Sequence, residues 1–340
     1  MKCFTQNRPH LICTLRNDIM TFEFKTPSDK TKHIMSEVAS GKLENTDFEN
    51  ECENKICELT NSEFSKITSS GNNSIFVALS SIKGDILIPD QGGWHGFKQI
   101  AKFLGKNIIT LKTDFGLINP KDMDDLELKD NSALIFTSFA GYTAEQDIKS
   151  ISKYCRNHGI TIIEDASAGI GDEKRLMGNC KYSDIVIAST GQPKIINVGS
   201  GGFIATNDEN LFNETSLPLK LSKTNKIISS GIYEELKNVN KNLQLTLNAT
   251  DYLKKHIPNV IHANKRGVNL IIRDDDAKQK TWELKKQLPI NKSGFINKCP
   301  NYNRVKTKAI SIEIKNLNYN CLEKEYLNKI IKAVNNLQQV

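Results

Sequence analysis

Residues 160–208 read ITIIEDASAGIGDEKRLMGNCKYSDIVIASTGQPKIINVGSGGFIATND, and this stretch decides the fold. A short apolar run over 160–164 reads as a buried strand. It ends on two acids, Glu164-Asp165, followed by the small residues Ala166, Ser167, Ala168 and Gly169. A β-rich run over 184–188 and a glycine-led run over 202–206 are two further strands, and Gln192, Pro193 and Lys194 lie in the turn region between them. Strands this apolar along their whole length are covered on both faces.

Working outward, the periodicity predicts a helix over 73–82, a strand over 85–89, a helix over 97–104 and a strand over 107–110. A strand over 133–137 and a helix over 144–158, closed by Gly159, lead into the quoted stretch. Strand and helix alternating in this way predict a largely parallel sheet with helices on both faces. Ligands of such sheets gather at the carboxyl ends of strands, so the loops there are where chemistry is expected. From Pro218 the pattern changes to a long polar helical region over 232–255, strands over 267–273 and 308–314, and a closing amphipathic helix over 323–337. The expected organisation is an α/β large domain over 36–215 and a smaller α+β domain over 216–340, with segment 1–35 packed against the latter.

Three segments carry candidate chemistry. Ser69-Ser70-Gly71-Asn72-Asn73-Ser74 precedes an apolar helix, where outward-pointing N–H groups suit a phosphate; a plain helix cap explains the same residues. Asp165 stands at the end of a buried strand and needs a cation or a protonated ring nitrogen to face, unless it merely caps the next helix. Lys194, on a loop before Gly199-Ser200-Gly201-Gly202, is either a surface charge or an amine able to form imines with carbonyl compounds. A phosphate cradle, an acid for a ring nitrogen and an imine-forming lysine together specify pyridoxal phosphate.

The string from Glu164 to Asp208 is similar to the DegT/DnrJ/StrS (sugar aminotransferase-like) family of fold-type I pyridoxal phosphate enzymes. Ser70-Gly71-Asn72 stands where the family has a Ser-Gly-Thr phosphate turn, and Glu164-Asp165-Ala166 matches its Glu-Asp-Ala segment. Ser189 lies five residues before Lys194, as in the family, and Gly201-Gly202 with Thr206-Asn207-Asp208 follow in order. Ser36 to Gly71 resembles its entry helix, and Ser311 to Val334 its last strand and closing helix. The resemblance implies a Schiff base on Lys194, a ring nitrogen held by Asp165, and a phosphate anchored by Ser189 with the N–H groups of Gly71 and Asn72. It also implies an aromatic stacked on the cofactor, a place Trp94 fills, although a half-buried turn aromatic reads the same way. His95 and Arg304 are candidates for the substrate, His95 as an acid and Arg304 as a clamp for a donor carboxylate. A loop histidine is more often a bystander, and Arg266 and Arg273 serve the clamp equally well on sequence grounds.

Two departures stand out. Ala168 occupies a position where the family more often has a polar residue reaching the cofactor's phenolic oxygen, and between Thr215 and Asn259 there is no Gly-x-Asn-x-Arg-Met stretch, through which a partner subunit helps close the site. The implied activity is an aminotransferase moving an amino group from an amino acid to a keto sugar, nucleotide-linked sugars among them, or to a related small ketone, in a homodimer. Another reaction on the same fold (a lyase, a dehydratase or conversion of a tRNA-linked amino acid) and a non-catalytic regulatory role are the alternatives. The family's sugar dehydratases carry histidine in place of the lysine, which Lys194 argues against, and Gly169-Ile170-Gly171 with Gly178 does not fit a dinucleotide fingerprint.

Composition sets outer bounds. The 340 residues are 38% hydrophobic and 25% charged, with no apolar run approaching about 18 residues and no signal-peptide core near Met1, so a cytoplasmic protein without membrane spans is expected. Eight scattered cysteines without a C-x-x-C pair read as structural thiols rather than metal ligands. The net charge of +7 rests largely on lysines after Pro218, best read as a solvated face or an attraction for phosphorylated small molecules rather than for nucleic acid.

Overall fold

The computed structural model describes residues 21–338; expectations for residues 1–20, including Cys3 and Cys13, lie outside the described residues. In chain order the helices are α1 (Asp29–Ala39), α2 (Phe48–Thr60), α3 (Gly71–Ser81), α4 (His95–Phe103), α5 (Ile148–Asn157), α6 (Glu209–Glu214), α7 (Ser216–Leu221), α8 (Lys226–Leu236), α9 (Val239–His256), α10 (Ala277–Gln287) and α11 (Lys324–Gln338). The strands are β1 (Phe64–Thr68), β2 (Ile86–Pro89), β3 (Ile108–Leu111), β4 (Ala133–Thr137), β5 (Phe139–Ala140), β6 (Ala144–Glu145), β7 (Thr161–Asp165), β8 (Ile185–Ser189), β9 (Gly202–Thr206), β10 (Leu270–Arg273), β11 (Ile296–Cys299) and β12 (Ala309–Ile312).

Seven strands form one sheet in the order β1-β9-β8-β7-β4-β2-β3. All pairs from β8 to β3 are parallel, and β9 alone runs against its neighbours β8 and β1. The side-chain period of two sorts the apolar residues onto two faces. Leu134, Phe136, Ile162, Val186 and Phe203 join one core, while Ala133, Ile135, Ile163, Ile185, Ile187 and Ile204 pack with Ile75, Val77, Ala78 and Leu79 of α3 and with Phe97 of α4 on the other. The fold is thus α/β, a mostly parallel sheet between helical layers.

The same alternation fixes the directions of the strand-end residues. Asp165 and Ser189 share parity with Ile163 and Ile187 and project toward α3. Glu164 projects to the opposite side, where it is fully buried and accepts hydrogen bonds from Ser138 Oγ (2.6 Å), Ser183 Oγ (2.8 Å) and the Gly178 N–H (2.8 Å). Burial raises its pKa against those three donors.

A second, antiparallel sheet, β10-β12-β11, carries its own core with α10 and α11. Phe22 is fully buried in that core and bridges to Ile290, while Phe24 bridges to Leu317. Leu243 and Leu247 of α9 belong to the first core and Ala249 and Leu253 to the second, so one helix serves both.

Two elements differ from expectation for local reasons. The helix expected from residue 144 begins at Ile148, because Ala144–Glu145 pair with Phe139–Ala140 and Asp147 caps the helix through the Ser150 N–H. The polar helix over 232–255 is two helices, α8 and α9, meeting at residues 237–238. The six described cysteines are free, and all but Cys57 are buried. Burial pushes Cys155 and Cys180 up to about 12, the state of inert structural thiols. No helix of the described chain is long and apolar enough to cross a membrane.

Candidate active site

The carboxyl ends of β7 and β8, the N-terminus of α3 and the segment 303–315 enclose a cavity of about 360 Å³. Its walls include Gly71, Asn72, Trp94, Asp165, Ser189 and Lys194, so six of the eight residues singled out from sequence converge there, with Arg304 as the seventh. His95 is not on the walls. It is the first residue of α4, exposed, with its ring stacked on Tyr302 at 4.9 Å.

The helix end is built for close approach. Ser70 caps α3 by accepting the Asn73 N–H through its hydroxyl (3.2 Å), which leaves the N–H groups of Gly71 and Asn72 without an intrahelical acceptor. A Cβ on Gly71 would stand 2.5 Å from Ser189 Cβ, so only glycine allows this turn to sit against the end of β8. Ser189 is itself fixed by its N–H donating to Ser167 Oγ (2.8 Å), while its hydroxyl accepts the Gly191 N–H (3.2 Å). Backbone donors, a hydroxyl and the positive end of a helix dipole thus face one corner of the cavity, the arrangement that binds a phosphate.

Lys194 sits on the turn after β8, its N–H donating to the Gly191 carbonyl (3.0 Å). Its amine lies 3.2 Å from Tyr142 Oη, 6.0 Å from the centroid of the Trp94 ring and within electrostatic reach of Asp165. Burial alone lowers the proton affinity of such an amine, but the Tyr142 oxygen and the Asp165 carboxylate outweigh it and raise the pKa. For Asp165 burial is the larger effect and raises its pKa, opposed by Lys194 and by the Ser167 N–H (3.0 Å). Trp94 stands at the cavity mouth, its indole N–H held by Asn72 Oδ1 at 2.8 Å.

The opposite wall comes from the second sheet. Arg304 donates through Nε and Nη2 to Glu313 at 2.7 and 2.6 Å, and through Nη1 to the Asn303 carbonyl at 2.6 Å. The edge that pairs side-on with a carboxylate is therefore already engaged, so a substrate carboxylate meets only the outer Nη1/Nη2 edge. Glu313 is buried, yet Arg304 and Lys315 overcome the cost of burial and hold its carboxyl at about 2. Lys315, 3.7 Å from Glu313, is driven well below the usual lysine range by burial, with Arg304 and Lys194 adding to the effect.

Sequence reasoning did not single out Tyr142, Lys315, Ser167, Gln192 or Asn303 as wall residues. Tyr142 lies in the tight β5–β6 turn and Lys315 beyond β12, positions that no motif marks. Ala168 is buried in the apolar core rather than on the wall.

A model of the DegT/DnrJ/EryC1/StrS aminotransferase family matches residues 26–232, the segment that holds α3, β7, β8 and the Lys194 turn. The chain belongs to this family. The MJ1341 family C-terminal domain matches residues 240–335. Among curated proteins, UDP-4-amino-4,6-dideoxy-N-acetyl-beta-L-altrosamine transaminase of Campylobacter jejuni is 23% identical over 211 residues, 60% of this chain and 53% of that protein. The transaminase of the same name from Helicobacter pylori is 26% identical over 139 residues, 38% of this chain and 35% of that protein. The match thus spans about half or less of these relatives' length.

Solved structures share the fold. Helicobacter pylori PseC, an aminotransferase of pseudaminic acid biosynthesis, superimposes with a TM-score of 0.71 at 16% identity, covering 93% of this chain and 99% of that one. Bacillus subtilis NtdA, described with bound cofactor PMP, gives 0.69 at 14% identity, covering 92% and 83%. Pyridoxal phosphate is the cofactor of this family, and the residues present fit it. The side-chain-free turn at Gly71 faces Ser189 for the phosphate, a buried carboxylate on Asp165 suits a ring nitrogen, and the Lys194 amine lies within the same cavity.

Proposed function

We propose that the protein is a pyridoxal phosphate-dependent aminotransferase that moves an amino group from an amino acid to a keto sugar or related small ketone. The observation that carries this reading is the convergence of Asp165, Lys194, Ser189 and the N-terminus of α3 on one cavity. When bound, pyridoxal phosphate supplies an electron-withdrawing ring that makes a carbon-bound proton beside the amino group removable. Lys194 would carry the cofactor and, once freed by the donor, its Nζ would take that proton and return it to the carbon on the other side of the amino nitrogen. Asp165 keeps a proton at the ring nitrogen, which its buried carboxylate stabilises as a charge partner. Gly71, Asn72 and Ser189 hold the phosphate, and Trp94 covers a ring face at the cavity mouth.

The names of the curated relatives support a nucleotide-linked sugar as acceptor, and the Arg304 guanidinium on the cavity wall suits an anionic substrate. The working unit is a cytoplasmic homodimer with a large domain over 36–215 and a small domain over 216–340. Exposed Phe103, Leu217 and Leu221 on α4 and α7, both packed against α3, support a covered face there. The test is an absorption spectrum with added pyridoxal phosphate before and after borohydride reduction, followed by peptide mapping. Attachment at Lys194 supports the reading; attachment elsewhere, or none, removes it.

A further inference from the structure

The Lys194 amine has two tasks that need opposite protonation states: as a free amine it accepts a proton, and as an ammonium it returns one. Asp165, as a carboxylate, only accepts hydrogen bonds and so favours the ammonium alone. A phenol hydroxyl accepts from an ammonium and donates to a free amine, keeping the nitrogen in one place through both states. We propose that Tyr142 is the positioning residue that sets the proton affinity of Lys194 and holds its nitrogen in place in either state.

The placement of Tyr142 is heavily determined. Its φ of +64° lies in the left-handed region, an uncommon conformation for a side chain of this size. The turn is fixed by the Tyr142 N–H donating to the Phe139 carbonyl (3.1 Å) and by the Tyr142 carbonyl accepting from both Val268 N–H (2.9 Å) and Asn269 N–H (3.0 Å). The next turn residue is locked as well, with the Thr143 N–H on the Ala140 carbonyl (2.9 Å). Around the ring stand Arg304 at 4.5 Å, Lys315 at 4.8 Å and Lys194 at 5.5 Å from its centroid. The ring therefore lies against three basic side chains, one of them the Lys194 amine, and their contacts hold it in place. The charged and titratable groups facing Lys194 are Tyr142, Asp165, Arg304 and Lys315. Of these, Tyr142 makes the 3.2 Å hydrogen bond to its amine.

Tyr142→Phe keeps the ring and its cation contacts and removes the hydroxyl. The experiment labels the full-length, cofactor-free protein with trinitrobenzenesulfonate across a pH series, with modification at Lys194 followed by peptide mass mapping. Of the two hydrogen bonds lost, the one accepted from the ammonium is charge-assisted and the stronger, so the midpoint for labelling falls by about one pH unit in Tyr142→Phe, a roughly tenfold rise in free amine at a given pH. In the loaded protein the pH midpoint of the cofactor absorbance shifts as well. A midpoint that stays in place or rises overturns the proposal. Thermal melts of both proteins check that the Phe variant is folded, and Tyr142→Trp, which also lacks the hydroxyl, shifts the midpoint the same way if the hydroxyl is the cause. The inference rests on Lys194 being the reactive amine. The two readings fail separately: cofactor absent from Lys194 removes the proposed function, whereas an unmoved labelling midpoint removes the role of Tyr142.

Discussion

The two walls of the cavity are built on different electrostatic plans. On the large-sheet side the ionisable groups face open space: Asp165 and Lys194 are within electrostatic reach of each other, and no hydrogen bond joins their side chains. On the small-sheet side Arg304 and Glu313 consume each other through two hydrogen bonds of 2.7 and 2.6 Å, with Lys315 and Ser311 closing the cluster. Groups left unneutralised are available to a ligand, whereas groups already paired shape the wall and its potential. The difference assigns chemistry to the strand ends of the large sheet, and shape and charge to the second sheet.

The harshest test of that division is Lys194→Ala. Loss of both the attachment point and the proton carrier lowers turnover by about four orders of magnitude or more, with the melting temperature nearly unchanged. Steady-state kinetics beside a thermal melt measure both. A variant that unfolds would put Lys194 among the structural residues and erase the contrast between the walls.

The large-sheet side was legible in the sequence because its residues sit at strand ends. Strand parity and the carboxyl-end rule place Asp165 and Ser189 without knowledge of distant contacts, and the five-residue spacing brings Lys194 along. Gly71 was legible as part of a helix start, but its necessity was not, because the clash it avoids is with Ser189, more than a hundred positions later. Arg304 was legible only as one arginine among several. What settles its role is Glu313, and what settles Arg266 is its salt bridge to Glu145 and Asp172, pairings set by tertiary packing. Tyr142 was invisible because, apart from its turn bond to Phe139, its placement comes from Val268, Asn269, Arg304 and Lys315, none of them local. The edge strand β11 and helix α10 escaped notice for a simpler reason: β11 buries only its two end residues, Ile296 and Cys299, and α10 only Ala277, Thr281 and Leu284, so the apolar period is weak in both.

Arg304→Ala probes the paired wall. It leaves the Glu313 carboxylate buried beside Lys315 alone, and breaking one side of a buried pair costs about 3–5 kcal/mol of stability. Replacing both partners, Arg304→Met with Glu313→Leu, costs less than either single change, since neither a guanidinium nor a carboxylate is then stranded and the buried Lys315 amine, already held well below the usual lysine range, stays neutral. Urea denaturation of Arg304→Ala, of Arg304→Met and Glu313→Leu singly, and of the double variant measures this. The comparison sharpens if Arg304→Ala is destabilised while the double variant recovers. It breaks if Arg304→Ala folds as well as the native protein but raises KM for the amino donor strongly, because the guanidinium would then be serving the substrate rather than Glu313.

The mildest expected effect is in acid. Glu313 is held at about 2 in the folded protein against 4.5 for an ordinary glutamate, so the unfolded chain binds its proton first as the pH falls. Its contribution to stability is complete above about 4.5 and disappears as the pH drops through about 2. The shift corresponds to about 3 kcal/mol at most, spread over that window. Glu313→Gln keeps the shape, removes the titration and flattens this part of the stability curve, an effect read from urea midpoints at a series of pH values below 5. Asp165 contributes the opposite slope, because burial raises its pKa and makes the folded state the better proton binder as its range is crossed. Asp165→Asn therefore steepens the acid loss where Glu313→Gln flattens it, and equal responses from the two variants would mean that the walls do not differ in the way their hydrogen bonds imply.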